Sequence, residues 1–134
     1  MEIYNIEKVY NGFHYPQFYK KILELNLIDF DYWYLMNSEQ IDIRINGLKS
    51  RYPNRKLVPF ARRDDNDDIA CFEVDKGERV QIIHDFASVG YEQRGEYDSF
   101  KDWVKAAIEE LMNMDNIDID WLFDCKKDHK GLID

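Results

Sequence analysis

Cysteine is scarce in this chain: two in 134 residues, Cys71 and Cys125, too far apart for a metal-binding pair and too few for a disulfide framework. Cys71 sits among apolar neighbours, as a small reduced core residue does, and that is the expectation for a cytoplasmic protein. The six glycines are scattered, and none completes the GxGxxG or GxxxxGK loops that cradle phosphates. Of the histidines, His14, His84 and His129, none has a second His or Cys two to four residues further on, so metal ligation has no support. Ser38 and Ser99 read as helix caps, and Ser50 and Ser88 belong to no nucleophile motif. No apolar run approaches the roughly 18–20 residues that span a bilayer. The first eight residues lack the basic head and apolar core of a secretory signal. These absences lead to the expectation of a soluble, cytoplasmic, non-catalytic protein with no metal and no cofactor.

What is present belongs to a globular protein. Hydrophobic residues make up 45% and aromatics 15%, well above the range of a disordered chain. At this length one compact domain over residues 1–134 buries a real core without disulfides or metals. The aromatic content would serve a large core or a dimer surface equally, so a monomer and a weak homodimer both stay open. The formal charge of −9 is unevenly spread: residues 57–134 hold ten basic against twenty acidic side chains and carry the whole excess. From Ile43 to Arg63 there is no acid, but there are Arg44, Lys49, Arg51, Arg55, Lys56, Arg62 and Arg63. A basic band thus abuts an acidic one, either compensating it on the surface or leaving an acidic face to steer a basic partner. Phosphate neutralisation supplies most nucleic-acid affinity, so direct nucleic-acid binding is not expected of so acidic a chain.

Along the chain, Pro16 suits a helix start, and Phe18, Ile22 and Leu25 follow on one face, with Asn26 as the stop. Residues 28–36, aromatic and partly alternating, predict a strand. Ser38 is the expected N-cap of a helix carrying Ile41, Ile45, Leu48 and Tyr52, which Gly47 weakens and Pro53 ends. Short strands are predicted at 57–61, 69–74 and 79–84, joined as an antiparallel meander, with a glycine turn at 75–78 and a polar loop from Gly90 to Ser99. Ser99 then caps the clearest helix, whose stripe is Phe100, Trp103, Val104, Ala107, Ile108 and Leu111. After Met114 an acidic tail holds Ile117, Ile119, Trp121, Leu122 and Phe123, enough for part of it to pack. The whole predicts a single α+β domain: a mostly antiparallel sheet with helices on one face.

The segment 57–72 is the most informative. Two apolar runs flank a loop with four aspartates in five positions, Asp64, Asp65, Asp67 and Asp68, and like charges that close repel unless water or a cationic partner screens them. Asp64, Asn66 and Asp68 match the opening of a calcium loop, but Ile69 stands where its glycine belongs and Asp75 where its glutamate belongs, which argues against calcium. A solvated hairpin tip and a partner-docking knob remain. For docking, the candidates are the four loop aspartates with Glu73 and Glu78 as neighbours. A third possibility, His84 as a base oriented by Asp85, lacks a nucleophile.

Several pieces in order resemble the SMI1/KNR4 family, the SUKH superfamily: Trp33-Tyr34-Leu35-Met36, Gly47-Leu48 with Tyr52-Pro53, and Leu57-Val58-Pro59-Phe60-Ala61 with Asp67-Asp68 and Cys71-Phe72. Val80-Gln81-Ile82-Ile83-His84-Asp85 and Tyr97-Asp98-Ser99-Phe100-Lys101-Asp102-Trp103-Val104 are similar to its closing strand and C-terminal helix, so the resemblance covers about residues 30–112. It implies an α+β fold without catalytic machinery. It also implies an immunity protein that binds and blocks a cognate toxin of a contact-dependent or polymorphic system, commonly a nuclease. Fungal members act instead as interaction hubs, so a regulatory scaffold with no toxin is the alternative. Of the family's residues only Asp67 and Asp68 carry over, as the acidic element after the Pro-Phe strand.

Overall fold

The computed structural model describes residues 1–113. A 3-10 turn at Ile6–Lys8 precedes helix α1 (Gln17–Glu24), strand β1 (Trp33–Leu35) and helix α2 (Ser38–Arg51). Four strands follow, β2 (Leu57–Arg63), β3 (Asp68–Glu73), β4 (Val80–His84) and β5 (Gln93–Tyr97), and then helix α3 (Phe100–Asn113). The sheet runs in chain order β1-β2-β3-β4-β5 with every neighbour antiparallel. This is the α+β meander the strand pattern predicted. The acidic tail and Cys125 lie outside the described residues.

Strand β3 shows why the helices cannot all sit on one side. It is buried from end to end, and its side chains alternate between two cores. Ala70 and Phe72 enter the larger core with Tyr19 of α1 and with Phe100, Trp103, Val104 and Ala107 of α3. Ile69 and Cys71 enter a second core with Leu48 and Tyr52 from α2 and its end, and Leu57 and Ile83 from the flanking strands. The interior of β3, residues 69–72, is apolar at every position and offers no face to water, so both faces need a cover. The expected single helical face is therefore divided: α1 and α3 cover one side of the central strands and the end of α2 the other.

Phe60 anchors the larger core. It is fully buried, stacks on Phe72 at 4.6 Å between ring centres, and meets Trp103 and Phe100 edge-on at 5.0 and 5.4 Å. Such pairs add about 0.5–1.5 kcal/mol each beyond burial itself. Pro59 sits in β2 where the register to β3 slips, between Pro59 and Ala61, and on its other side β1 pairs only as far back as Ala61. A missing N–H costs least at such an interruption.

Four local expectations are corrected. Strand β1 is only three residues long, because Asp31 takes a left-handed conformation (φ 73°) and folds residues 29–34 back on themselves, with Asp29 bridging Tyr34. The cap of α2 is Asn37 and not Ser38: its side chain accepts from the Gln40 N–H at 2.9 Å while Gln40 returns a bond to the Asn37 N–H, a closed capping box. The polar stretch after Gly90 contains β5, whose outward polar residues hid it. At the end of the α3 stripe, Ile108 and Leu111 are partly exposed. Asn26 does stop α1 in a left-handed turn (φ 57°), and Ser99 does cap α3 through the Asp102 N–H.

Candidate functional site

Two loops share one end of the sheet: the acidic tip between β2 and β3, and the β4–β5 loop at residues 85–92. They are stitched together where the Asp85 N–H donates to the Asp67 carbonyl at 3.1 Å. The β3–β4 turn lies at the opposite end of the strands, about 17 Å away along β3 at 3.3–3.4 Å per residue. Glu78, exposed in that turn, is therefore not part of the same surface.

The predicted acids separate by environment. Asp64, Asp65 and Asp67 are exposed at the tip. Asp65 shares Arg63, at 2.7 Å, with Glu110 of α3; Asp64 and Asp67 have no ion pair among the described residues. Asp68 turns inward and is buried, its carboxylate 3.1 Å from His84 Nδ1 and 3.3 Å from Arg94 Nε. Asn66 shapes the turn by accepting the Asp68 N–H at 2.7 Å, an Asx-type bond, and Asp68 thereby faces away from the tip. Glu73 is buried at the far end of β3 and bound by Arg55 at 2.9 and 3.1 Å. Of the six predicted contact residues, the three exposed tip aspartates share a surface, while Asp68 and Glu73 are bound within the fold and Glu78 is remote.

Three of the seven cations in the basic band, Arg44, Arg51 and Arg55, are bound to the second loop. Asp85 is completely buried and accepts four hydrogen bonds: from Arg51 Nε and Nη2 at 2.8 Å, from Arg44 Nη1 at 2.7 Å, and from the Phe86 N–H at 2.9 Å. Arg44, Gly47 and Arg51 lie on one face of α2, and Gly47 makes the room: a methyl there would stand 2.6 Å from the Arg51 guanidinium. The glycine that weakens the helix by about 1 kcal/mol lets that arginine lie close along it. Arg55 holds the loop's other end, reaching Glu92 at 3.0 Å, and Glu92 also accepts the Gly90 N–H at 2.7 Å. Tyr52 donates its hydroxyl to the Ala87 carbonyl at 2.7 Å between these points. Burial alone would raise the Glu92 carboxyl, but the hydrogen bonds from its own backbone, Arg55 and Gly90 outweigh it and hold it below the usual glutamate value. Burial pushes the Cys71 thiol well up, consistent with an inert core residue.

Fixed in this way, the loop presents three large apolar side chains outward, Phe86, Val89 and Tyr91. Phe86 has a left-handed backbone (φ 72°), a conformation that costs a bulky residue about 1–3 kcal/mol. Its ring lies 4.2 Å from the Arg51 guanidinium. These residues escaped prediction because Phe86 and Val89 fall between the predicted strand and the predicted polar loop and Tyr91 falls within that loop; three large apolar residues within six positions were the available signal. His84 is oriented by Asp68 and not by Asp85, which the two arginines occupy. Among the described residues no hydroxyl or thiol hydrogen-bonds the imidazole.

Fold and site together define an α+β meander protein with one end of its sheet acidic, aromatic and held in shape. No family model, no curated protein and no solved structure matches the chain. Among the described residues no helix is long and apolar enough to cross a membrane.

Proposed function

We propose that the chain is a non-catalytic binding protein of the SUKH kind: an immunity protein that neutralises a cognate, basic, nuclease-like toxin through its acidic surface. The observation that carries the reading is the difference in pairing at one end of the sheet. Asp64 and Asp67 are exposed without ion-pair partners among the described residues and Asp65 is only half engaged, while Asp68 and Asp85 are neutralised within the fold. Negative charge presented on a short, bonded turn suits a cationic cleft that binds phosphate, because carboxylates occupy the place of the substrate's phosphates. Co-expression with the polypeptide encoded by the adjacent gene tests this. A stable complex, with the partner's nuclease activity lost at equimolar ratio, is the expected result. An adjacent product that neither binds nor loses activity contradicts the reading and favours a scaffold without a toxin.

A further inference from the structure

We propose that the β4–β5 loop supplies the apolar anchors of this docking face, with Phe86, Val89 and Tyr91 entering an apolar depression in a cationic protein surface whose charge the tip aspartates meet. This rests on the reading that the partner is a basic protein, and it names the part of the surface that holds the complex together. Exposed apolar residues are ordinary when scattered, but here Phe86, Val89 and Tyr91, exposed by 61, 68 and 80%, fall within six consecutive residues.

A segment this apolar and solvent-facing would be expected to collapse onto the fold. It is instead held out at four points: Asp85 on Arg44 and Arg51, Ala87 on Tyr52, Gly90 on Glu92, and Glu92 on Arg55. One face of the Phe86 ring rests on the Arg51 and Arg44 guanidiniums, while the bonds themselves fix the backbone that carries the three side chains. A loop ordered before binding loses little entropy on binding, which is where aromatic anchors gain their strength. The left-handed backbone at Phe86 belongs with this, since strain of that kind persists only where the surroundings over-determine it.

The occupant follows from charge. The Asp67–Asp85 backbone bond places the acidic tip against this loop, so whatever covers the apolar residues also meets Asp64 and Asp67. A second copy of the chain would bring the same acidic tip and the same net charge of −9 to the contact, and anionic lipid would be repelled likewise. A cationic face with an apolar depression is complementary on both counts.

The test measures the Kd of the complex with the adjacent gene's product for wild type, Tyr91→Ala, Phe86→Ala and, as an apolar control after α1, Leu25→Ala. Tyr91→Ala is expected to weaken binding about 30-fold, the scale of an aromatic anchor. Its thermal midpoint and the salt dependence of association should be unchanged, and Leu25→Ala should bind as wild type. Phe86→Ala should weaken binding comparably, and because its ring also rests on Arg51 its thermal midpoint is measured alongside to separate lost stability from lost contact. A complex whose affinity ignores both aromatic truncations overturns the anchor while leaving the immunity reading intact. No complex at all overturns both. A free protein that sediments as a dimer and becomes monomeric with Tyr91→Ala makes a second copy the occupant, and overturns the proposal.

Discussion

Asp67 and Asp85 are joined by one backbone hydrogen bond and carry the same charge, yet their side chains have opposite fates. Asp85 is fully buried beneath two arginines of α2; Asp67 faces water with no ion pair among the described residues. The difference lies in what the chain places opposite each. The acid-free stretch from Ile43 to Arg63 runs through most of α2, its exit turn and β2, and from the first two of these Arg44, Arg51 and Arg55 converge on the β4–β5 loop. Among the described residues the exposed aspartates of the β2–β3 tip receive one cation, Arg63, at Asp65. Acidity in one segment builds the fold; in its neighbour it is left over for something else.

The comparison breaks most visibly at Asp85. Asp85→Ala leaves two arginines facing a void and is expected to cost about 3 kcal/mol, the low end for a broken buried pair because both arginines keep some contact with water. Urea denaturation measures the loss, and amide exchange in residues 85–92 should rise with it. Glu92→Gln, at the loop's other end, should cost about 1–2 kcal/mol for its charged hydrogen bonds. It should also alter the pH dependence. The Glu92 carboxyl is held below its usual value in the fold, so its contribution is complete above the unfolded pKa near 4.5 and is lost as pH falls through the folded value. Wild-type stability should therefore drop more steeply than that of Glu92→Gln as pH falls below about 4.5. Asp42 also sits below its ordinary value, chiefly through the Tyr4 hydroxyl, and leaves acid sensitivity in both proteins. Asp68→Asn is intermediate at about 1 kcal/mol, since Arg94 and His84 stay partly solvated. Asp64→Asn, Asp65→Asn and Asp67→Asn together should move stability by no more than about 0.5 kcal/mol, because water already solvates them. A large loss from these three would show that the tip serves the fold after all.

Much of this architecture was legible in the sequence, and the reasons differ by element. Helix α3 announced itself through Ser99, Asp102 and a stripe whose first four members are buried. Ile41, Ile45 and Leu48 are buried along α2 as their helical spacing predicts, and Ile43, off that stripe, is solvent-facing. Strand β5 was not legible, because an edge strand made of Gln, Arg, Gly, Glu and Tyr carries no apolar alternation. The acidic loop was legible as charge but not as two populations. Nothing near Asp68 in the chain tells that its partners are His84 and Arg94, and Asp85 meets arginines 34 and 41 residues earlier. Local pattern reports caps and stripes; long-range ion pairs follow only once the strands are aligned.

In the proposed complex the exposed tip aspartates meet the partner's charge, and the buried acids do not. The direct measurement is the affinity for the adjacent gene's product as a function of salt, for wild type and for the triple variant Asp64→Asn, Asp65→Asn and Asp67→Asn. The expectation is that the wild-type affinity falls steeply with added salt, and that the variant binds more weakly with a flatter slope and an unchanged melting temperature. Equal affinity and equal slope in the two proteins would contradict it.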